Sequence, residues 1–329
     1  MKSLKFYDRK GLMKYVSIRP GETKLGEKIP LVSGLEELET TGAQFVIFGI
    51  PEDIGVRANY GKRGTSAAWE AFLNAFLNVQ VNRFSNPENI LLLGEVAVSE
   101  EMRKAAHVDM TDPNYVEKLG DLVEKVDEKV SEVVRLILEA GKTPVIVGGG
   151  HNNAFGNIKG TSEAFQKPVN VLNIDAHTDL RSTDHRHSGN GFSYALQNGF
   201  LKRYAVYGLH ENYTPEYIFE EMNNSEDLQF VLFDDLEGDQ ILPFLEPLDF
   251  VKQDKFGLEL DCDAIANFPS SAISPTGFSL ESARHLVKQA AKQDNCVYFH
   301  VCEASENGAF PTGKALSYLI TDFIKNKKS

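Results

Sequence analysis

Cysteine is scarce. The 329 residues contain only Cys262, Cys296 and Cys302, an odd, sparse set that provides no disulfide framework and fits a reducing compartment. Long hydrophobic runs are missing too. No segment approaches the ~20 apolar residues that a membrane-spanning helix requires, and the opening Met1-Lys2-Ser3-Leu4-Lys5-Phe6-Tyr7-Asp8 has no apolar stretch of the secretory kind. Positive charge is in short supply. With 34 Lys and Arg against 47 Asp and Glu, the net charge is −13. That argues against a nucleic-acid partner, whose phosphates need a basic surface, and against an anionic membrane. No GxxxxGK[ST] phosphate loop occurs. What these absences leave is an acidic, cytoplasmic protein large enough to bury a sizeable core.

Eight apolar, β-branched runs read as strands: Phe45–Ile50, Ile90–Val96, Pro144–Val147, Val169–Ile174, Tyr204–Leu209, Phe230–Phe233, Phe256–Leu260 and Val297–Cys302. Several are continuous rather than alternating, as burial on both faces of a parallel sheet requires. Helical patterns separate most of them, and that alternation predicts a doubly wound α/β fold. The longest helix is expected over Asn114–Ala140, where apolar residues recur three and four apart and Gly141 follows as a C-cap. Further helices are expected at Thr65–Leu77, Leu280–Lys292 and Gly313–Lys325. Residues 1–40 read as a peripheral N-terminal arm and 41–329 as a single catalytic domain.

Three of the strand-like runs end in clustered metal-binding side chains. They are Gly148-Gly149-Gly150-His151, Asp175-Ala176-His177-Thr178-Asp179 and Asp261-Cys262-Asp263. Strand ends are where open α/β sheets build their sites. Residues two apart on a strand face the same side, so Asp261 and Asp263 can reach one centre while Cys262 points into the packing; Asp175 and His177 stand in the same relation. Three glycines before His151 allow a tight exit from their strand. Two imidazoles and four carboxylates are too rich in oxygen for a structural zinc and suit harder divalent ions such as Mn²⁺. Four carboxylates left together would repel one another; two cations resolve the repulsion, and water held between them ionises near neutral pH.

These motifs resemble those of the arginase-like ureohydrolase superfamily, which includes arginases, agmatinases and formimidoylglutamases. Gly49-Ile50-Pro51-Glu52-Asp53, Gly61-Lys62-Arg63-Gly64, Leu93-Gly94-Glu95-Val96 and His300-Val301-Cys302-Glu303 extend the likeness from Phe45 to the end of the chain. The resemblance implies a three-layer α/β/α sandwich on an eight-stranded, mostly parallel sheet, which agrees with the strand count. It implies two Mn²⁺ ions per subunit, with other divalent metals possible. One would be held by His151, Asp175, Asp179 and Asp261 and the other by Asp175, His177, Asp261 and Asp263. Glu303 would pair with a cationic amidine or guanidine. Homo-oligomers, trimers or hexamers, are the family's habit and are expected here.

Departures from arginase point within the family. Gly150 stands where arginases carry Asp before the first ligand His. Ser188-Gly189-Asn190 is present, but no His follows it as a proton shuttle. Asp179 is followed by Leu180-Arg181, as in formimidoylglutamases. The resemblance thus implies hydrolysis of N-formimidoyl-L-glutamate to glutamate and formamide, a step of histidine degradation. Arg181, with Ser188 and Asn190, would bind substrate carboxylate; Arg186 is a weaker candidate of the same kind. Asp179 and Glu303 would serve the chemistry, and His187 or His185 would supply the proton. Three alternatives stand beside this reading. One is an arginase, agmatinase or guanidino-acid hydrolase of the same superfamily. Another is a two-metal phosphoesterase, and the third a metal-poor relative that binds ligand without catalysis.

Overall fold

The computed structural model describes residues 3–236 and 238–327; residues 1–2 of the expected arm and 328–329 at the other end lie outside the described residues. Nine strands form one sheet: β1 (Leu4–Phe6), β2 (Phe45–Gly49), β3 (Ile90–Val96), β4 (Thr143–Val147), β5 (Val169–Ile174), β6 (Leu201–Leu209), β7 (Leu228–Leu232), β8 (Phe256–Asp261) and β9 (Cys296–Cys302). Their order is β1-β3-β2-β4-β9-β8-β5-β6-β7. The eight expected strands are all present and mutually parallel. The ninth is a correction to the count: Leu4–Phe6, in the N-terminal arm, pairs antiparallel with β3. Three residues, of which Leu4 alone is buried, leave too weak a pattern to read as a strand.

Helices cover both faces, giving three layers. Along β2, Phe45 and Ile47 pack into the core cluster that also holds Trp69, Phe72, Leu286, Leu316 and Phe323. Val46 and Phe48 turn the other way, towards Val126, Val130 and Val133 of the long helix Tyr115–Glu139. Strands buried on both faces account for the continuous apolar runs. Gly141 follows that helix with φ +71°, the left-handed position that glycine occupies without a Cβ penalty. The helix after Thr65 differs from expectation. Thr65 opens a short 3₁₀ turn, with Ala68–Phe76 as the α-helix, and its hydroxyl donates to the Glu52 carbonyl (2.9 Å).

The order of the sheet decides the position of the site. After β3 the chain returns past β2 to β4, builds outward through β5, β6 and β7, then comes back to lay β8 and β9 between β5 and β4. Such reversals create the crevice beyond the carboxyl ends of the strands where α/β proteins bind ligands. Register keeps those ends level: Ile174 faces Leu260, Leu260 faces Val301, and Val147 faces Val301.

Docking of the edge strand depends on Gly94. Its φ is +132°, and a Cβ there would lie 2.2 Å from the Lys5 carbonyl oxygen. Gly94→Ala is expected to destabilise the fold by about 1–3 kcal/mol through strain and overpacking, read as a lower urea midpoint with the slope retained.

Candidate metal centre

The adjacent strands β4, β9, β8 and β5 deliver the metal-binding motifs side by side. From β4 the chain leaves through Gly148 (φ +93°) and Gly149 (φ +76°), a turn closed to residues with a Cβ: one at Gly149 would lie 2.3 Å from Asn153 Nδ2. The turn wraps around the fully buried Glu52, whose Oε1 accepts from Gly150 N (2.9 Å) and Asn153 Nδ2 (2.7 Å) and whose Oε2 accepts from Ile54 N (2.6 Å). This aims His151 at the neighbouring strand ends.

Asp175 and Asp261 close their own turns in the same manner. Asp175 Oδ1 accepts from His177 N (2.7 Å), and Asp261 Oδ1 accepts from Asp263 N (2.8 Å). The expected same-face strand pairs are therefore corrected. β5 stops at Ile174 and β8 at Asp261, and Asp263 sits in the 3₁₀ turn Cys262–Ala264. A carboxylate that caps the turn following it, rather than strand alternation, brings each pair together. Cys262 is buried in the apolar core, as expected.

Around His151 Nδ1 lie Asp179 Oδ2 at 2.9 Å, Asp175 Oδ2 at 3.1 Å and Asp261 Oδ2 at 3.3 Å. His177 Nδ1 lies 3.0 Å from Asp263 Oδ2 and 3.6 Å from Asp175 Oδ1. The six side chains thus form two ligand groups, His151–Asp175–Asp179–Asp261 and Asp175–His177–Asp263, which share Asp175. Asp261 was expected in both, but its carboxylate oxygens group with the first only.

The residues fit a pair of divalent ions. One imidazole nitrogen faces three carboxylate oxygens, more acceptors than it has protons. His151 Nδ1 and Asp263 Oδ1 are buried without a hydrogen bond, and uncompensated buried groups of this kind are costly. The electrostatics agree. Burial, then Asp263 and Asp175, push the Asp261 carboxyl well above its usual range. Asp263, against the opposing effect of burial, raises His177 well above its own.

The cluster opens into a cavity of about 200 Å³ lined by His177, Asp179, Asp261, Asp263, Arg181 and Glu303, among others. Glu303 has φ +58°; its Oε1 accepts from His151 N (2.8 Å) and its Oε2 from Ser271 Oγ. Burial raises its carboxyl to about 8. Arg181 is exposed on the cavity wall. Beside it Ser188 Oγ accepts from Asn59 Nδ2 (3.2 Å). A larger cleft of about 810 Å³ is lined by none of these residues.

The remaining expected residues lie elsewhere. Asn190 is fully buried, and both ends of its amide are engaged by its own loop: it accepts from Arg186 Nη1 (2.7 Å) and donates to the Ser182 and His185 carbonyls. Arg186 is a structural ion pair, with Nε 2.9 Å from Asp127 Oδ2. His187 lines a neighbouring cavity with His185. Its Nδ1 accepts from Gly189 N (3.0 Å), and burial, then His185, Arg186 and Arg181, lower it to about 3. A neutral imidazole of this kind is a poor proton donor. Sequence reading missed the roles of Glu52, Asn59 and Ser271. Glu52 lies inside a recognised motif; the other two sit in turns, where no periodicity marks them.

A family model described as the arginase family matches residues 43–312. The chain is 27% identical over 240 residues to the formimidoylglutamase of Macrococcus caseolyticus, an alignment covering 71% of this chain and 68% of that one. The formimidoylglutamase structure from Bacillus subtilis superposes with a TM-score of 0.76 at 18% identity, over 94% of this chain and 93% of the other. A formiminoglutamase from Trypanosoma cruzi, solved with Mn²⁺, gives 0.73 at 18%, over 93% and 98%. At these identities the structural likeness establishes the fold.

Two outcomes follow from the geometry. Asp261→Asn removes a charge from the first ligand group, so metal analysis after Mn²⁺ loading should find at most about one ion per chain and hydrolysis reduced at least ~100-fold. His187→Asn, outside the carboxylate-lined cavity, should leave kcat within about threefold, below the ~10²–10⁴ expected of a general acid.

Proposed function

Because this chain belongs to the arginase family, we propose that it is a two-metal hydrolase of linear amidines. Its substrate in this reading is N-formimidoyl-L-glutamate, which water splits into L-glutamate and formamide. The observation that carries the reading is the charge layout of one small cavity, with a carboxylate and imidazole cluster at its base and Arg181 on its wall. An amidinium joined to two carboxylates complements that layout. Agmatine has no carboxylate for Arg181, and arginine adds an ammonium that Arg181 repels. The similarity to formimidoylglutamases agrees with this choice.

His151, Asp175, Asp179 and Asp261 would hold one Mn²⁺, and Asp175, His177 and Asp263 the other. When bound, the ion pair supplies a water activated as a nucleophile near neutral pH. The chain's own groups do the rest. Glu303, oriented by Ser271, accepts from the amidinium N–H groups and presents the formimidoyl carbon. Arg181 takes a substrate carboxylate through charge-assisted hydrogen bonds, and Ser188 adds a hydroxyl on the same wall. Asp179, at the cavity surface, is the carboxyl best placed to pass a proton to the departing glutamate nitrogen.

In this reading the enzyme acts in histidine breakdown in the cytoplasm and assembles as a homo-oligomer, a trimer or hexamer. Among the described residues no helix is long and apolar enough to cross a membrane.

The test is a substrate panel with Mn²⁺-loaded protein: N-formimidoylglutamate, arginine, agmatine, guanidino acids and a generic phosphoester. Turnover of the first is the expected result, and preference for arginine would overturn the substrate assignment. Arg181→Ala should raise KM for formimidoylglutamate about 10–100-fold with a smaller change in kcat, the loss of a charge-assisted hydrogen bond made alike in ground and transition states.

A further inference from the structure

One pleat beneath the metal-binding turns lies a second polar layer, wholly buried. Glu259 on β8 faces the same side as Asp261 and is fully inaccessible. Its Oε1 accepts from Tyr298 Oη (2.9 Å) and Asn157 Nδ2 (3.2 Å). Its Oε2 lies 2.5 Å from His300 Nδ1 and 3.7 Å from His151 Nε2. His300 Nε2 in turn meets the Gly148 carbonyl (3.2 Å), in the turn that carries His151. Register places Glu259 directly opposite His300. Gly257 makes room for the reaching tyrosine, since a Cβ there would lie 2.0 Å from the Tyr298 ring.

A carboxylate in mid-sheet is expensive unless every lone pair has a partner. Tyr298, Asn157 and His300 provide three. The remaining neighbour is the back of His151, whose Nε2 lies 3.7 Å from Glu259 Oε2 and has no hydrogen-bond partner, and whose Nδ1 faces the aspartates. A ligand imidazole must present a lone pair to its metal and keep its proton on the far nitrogen, and a carboxylate behind that nitrogen selects this tautomer.

We propose that Glu259, held by His300 and Tyr298, is the positioning residue for His151: it keeps the His151 proton on Nε2 and turns Nδ1 towards the first metal position. The Gly148 contact of His300 makes the same unit hold the turn. The proposal rests on the two-metal reading given above, and metal binding is therefore measured directly rather than through turnover.

The experiment is a Mn²⁺ titration of the full chain in a metal buffer, followed by electron paramagnetic resonance, for wild type, Glu259→Gln and Tyr298→Phe. Gln keeps the shape but turns an N–H₂ towards one of the groups that Oε1 and Oε2 serve. Wild type should take up two ions and show a spin-coupled signal. Glu259→Gln should weaken one of the two sites by about 10–100-fold and give the signal of an isolated ion at intermediate Mn²⁺, with an unchanged circular dichroism spectrum. Tyr298→Phe loses a single hydrogen bond to the same carboxylate and should weaken the same site severalfold, which keeps the proposal open to refutation if Gln prevents folding. Two coupled ions bound within threefold of wild-type affinity in whichever variants fold would overturn the role of Glu259. Fewer than two ions in wild type would overturn the two-metal reading and this proposal with it.

Discussion

Four carboxylates and two imidazoles must be held at one place against their own repulsion, and the rest of the molecule is arranged around that constraint. Like charges this close oppose ionisation, and burial removes the water that would screen them. The fold therefore has to supply rigidity before any cation arrives. It does so by fixing the backbone from which each ligand projects. Asp175 and Asp261 each lock the turn that follows them, and Asp175 is also tied from below by Asn173 Nδ2 (2.9 Å). Tyr204 Oη holds the Thr178 carbonyl (2.8 Å), next to Asp179, itself in the left-handed region at φ +50°. Strained backbone of this kind persists only where its surroundings over-determine it.

The sheet makes this possible because its strand order brings together what the chain keeps apart. β4 and β9 are neighbours although His151 and Glu303 are separated by half the polypeptide, and His151 N donates to Glu303 Oε1 across that junction. A parallel sheet with level strand ends presents four exits on one rim, so a few residues per exit complete the site. The long helix Tyr115–Glu139 contributes from behind: its Asp127 neutralises Arg186, which reaches the Asn152 carbonyl (2.9 Å) in the turn after His151.

Features with a period or a distinctive composition are legible in the amino-acid sequence alone. Continuous β-branched runs mark the eight parallel strands, and the GGGH, DAHTD and DCD endings mark the candidate ligands. Two kinds of information are not legible there. The first is pairing that leaves no pattern: β1 is three residues long. The second is the direction in which a loop side chain points. Arg181 and Asn190 lie in one connection between β5 and β6, yet Arg181 faces the cavity while Asn190 braces its own segment, accepting from Arg186 and donating to the Ser182 and His185 carbonyls. Asp263 and His177 reach the cluster through capped turns rather than strand alternation, a geometry that residue spacing alone does not reveal.

Charge segregation within the cavity also bears on selectivity. An amidine hydrolase must exclude many cations that would suit a cluster of carboxylates, and shape alone discriminates weakly between short chains. Discrimination grows when a site contains a polar group that only the right substrate satisfies. Arg181 lines the cavity and, among the described residues, forms no ion pair. A ligand that filled the base of the cavity without a carboxylate would cover that guanidinium and leave it unpaired, at the cost of a desolvated charge. A ligand carrying a carboxylate at the right distance gains there instead. In the proposed reading the acidic base would attract the class of substrate, while Arg181 on the wall would select among its members.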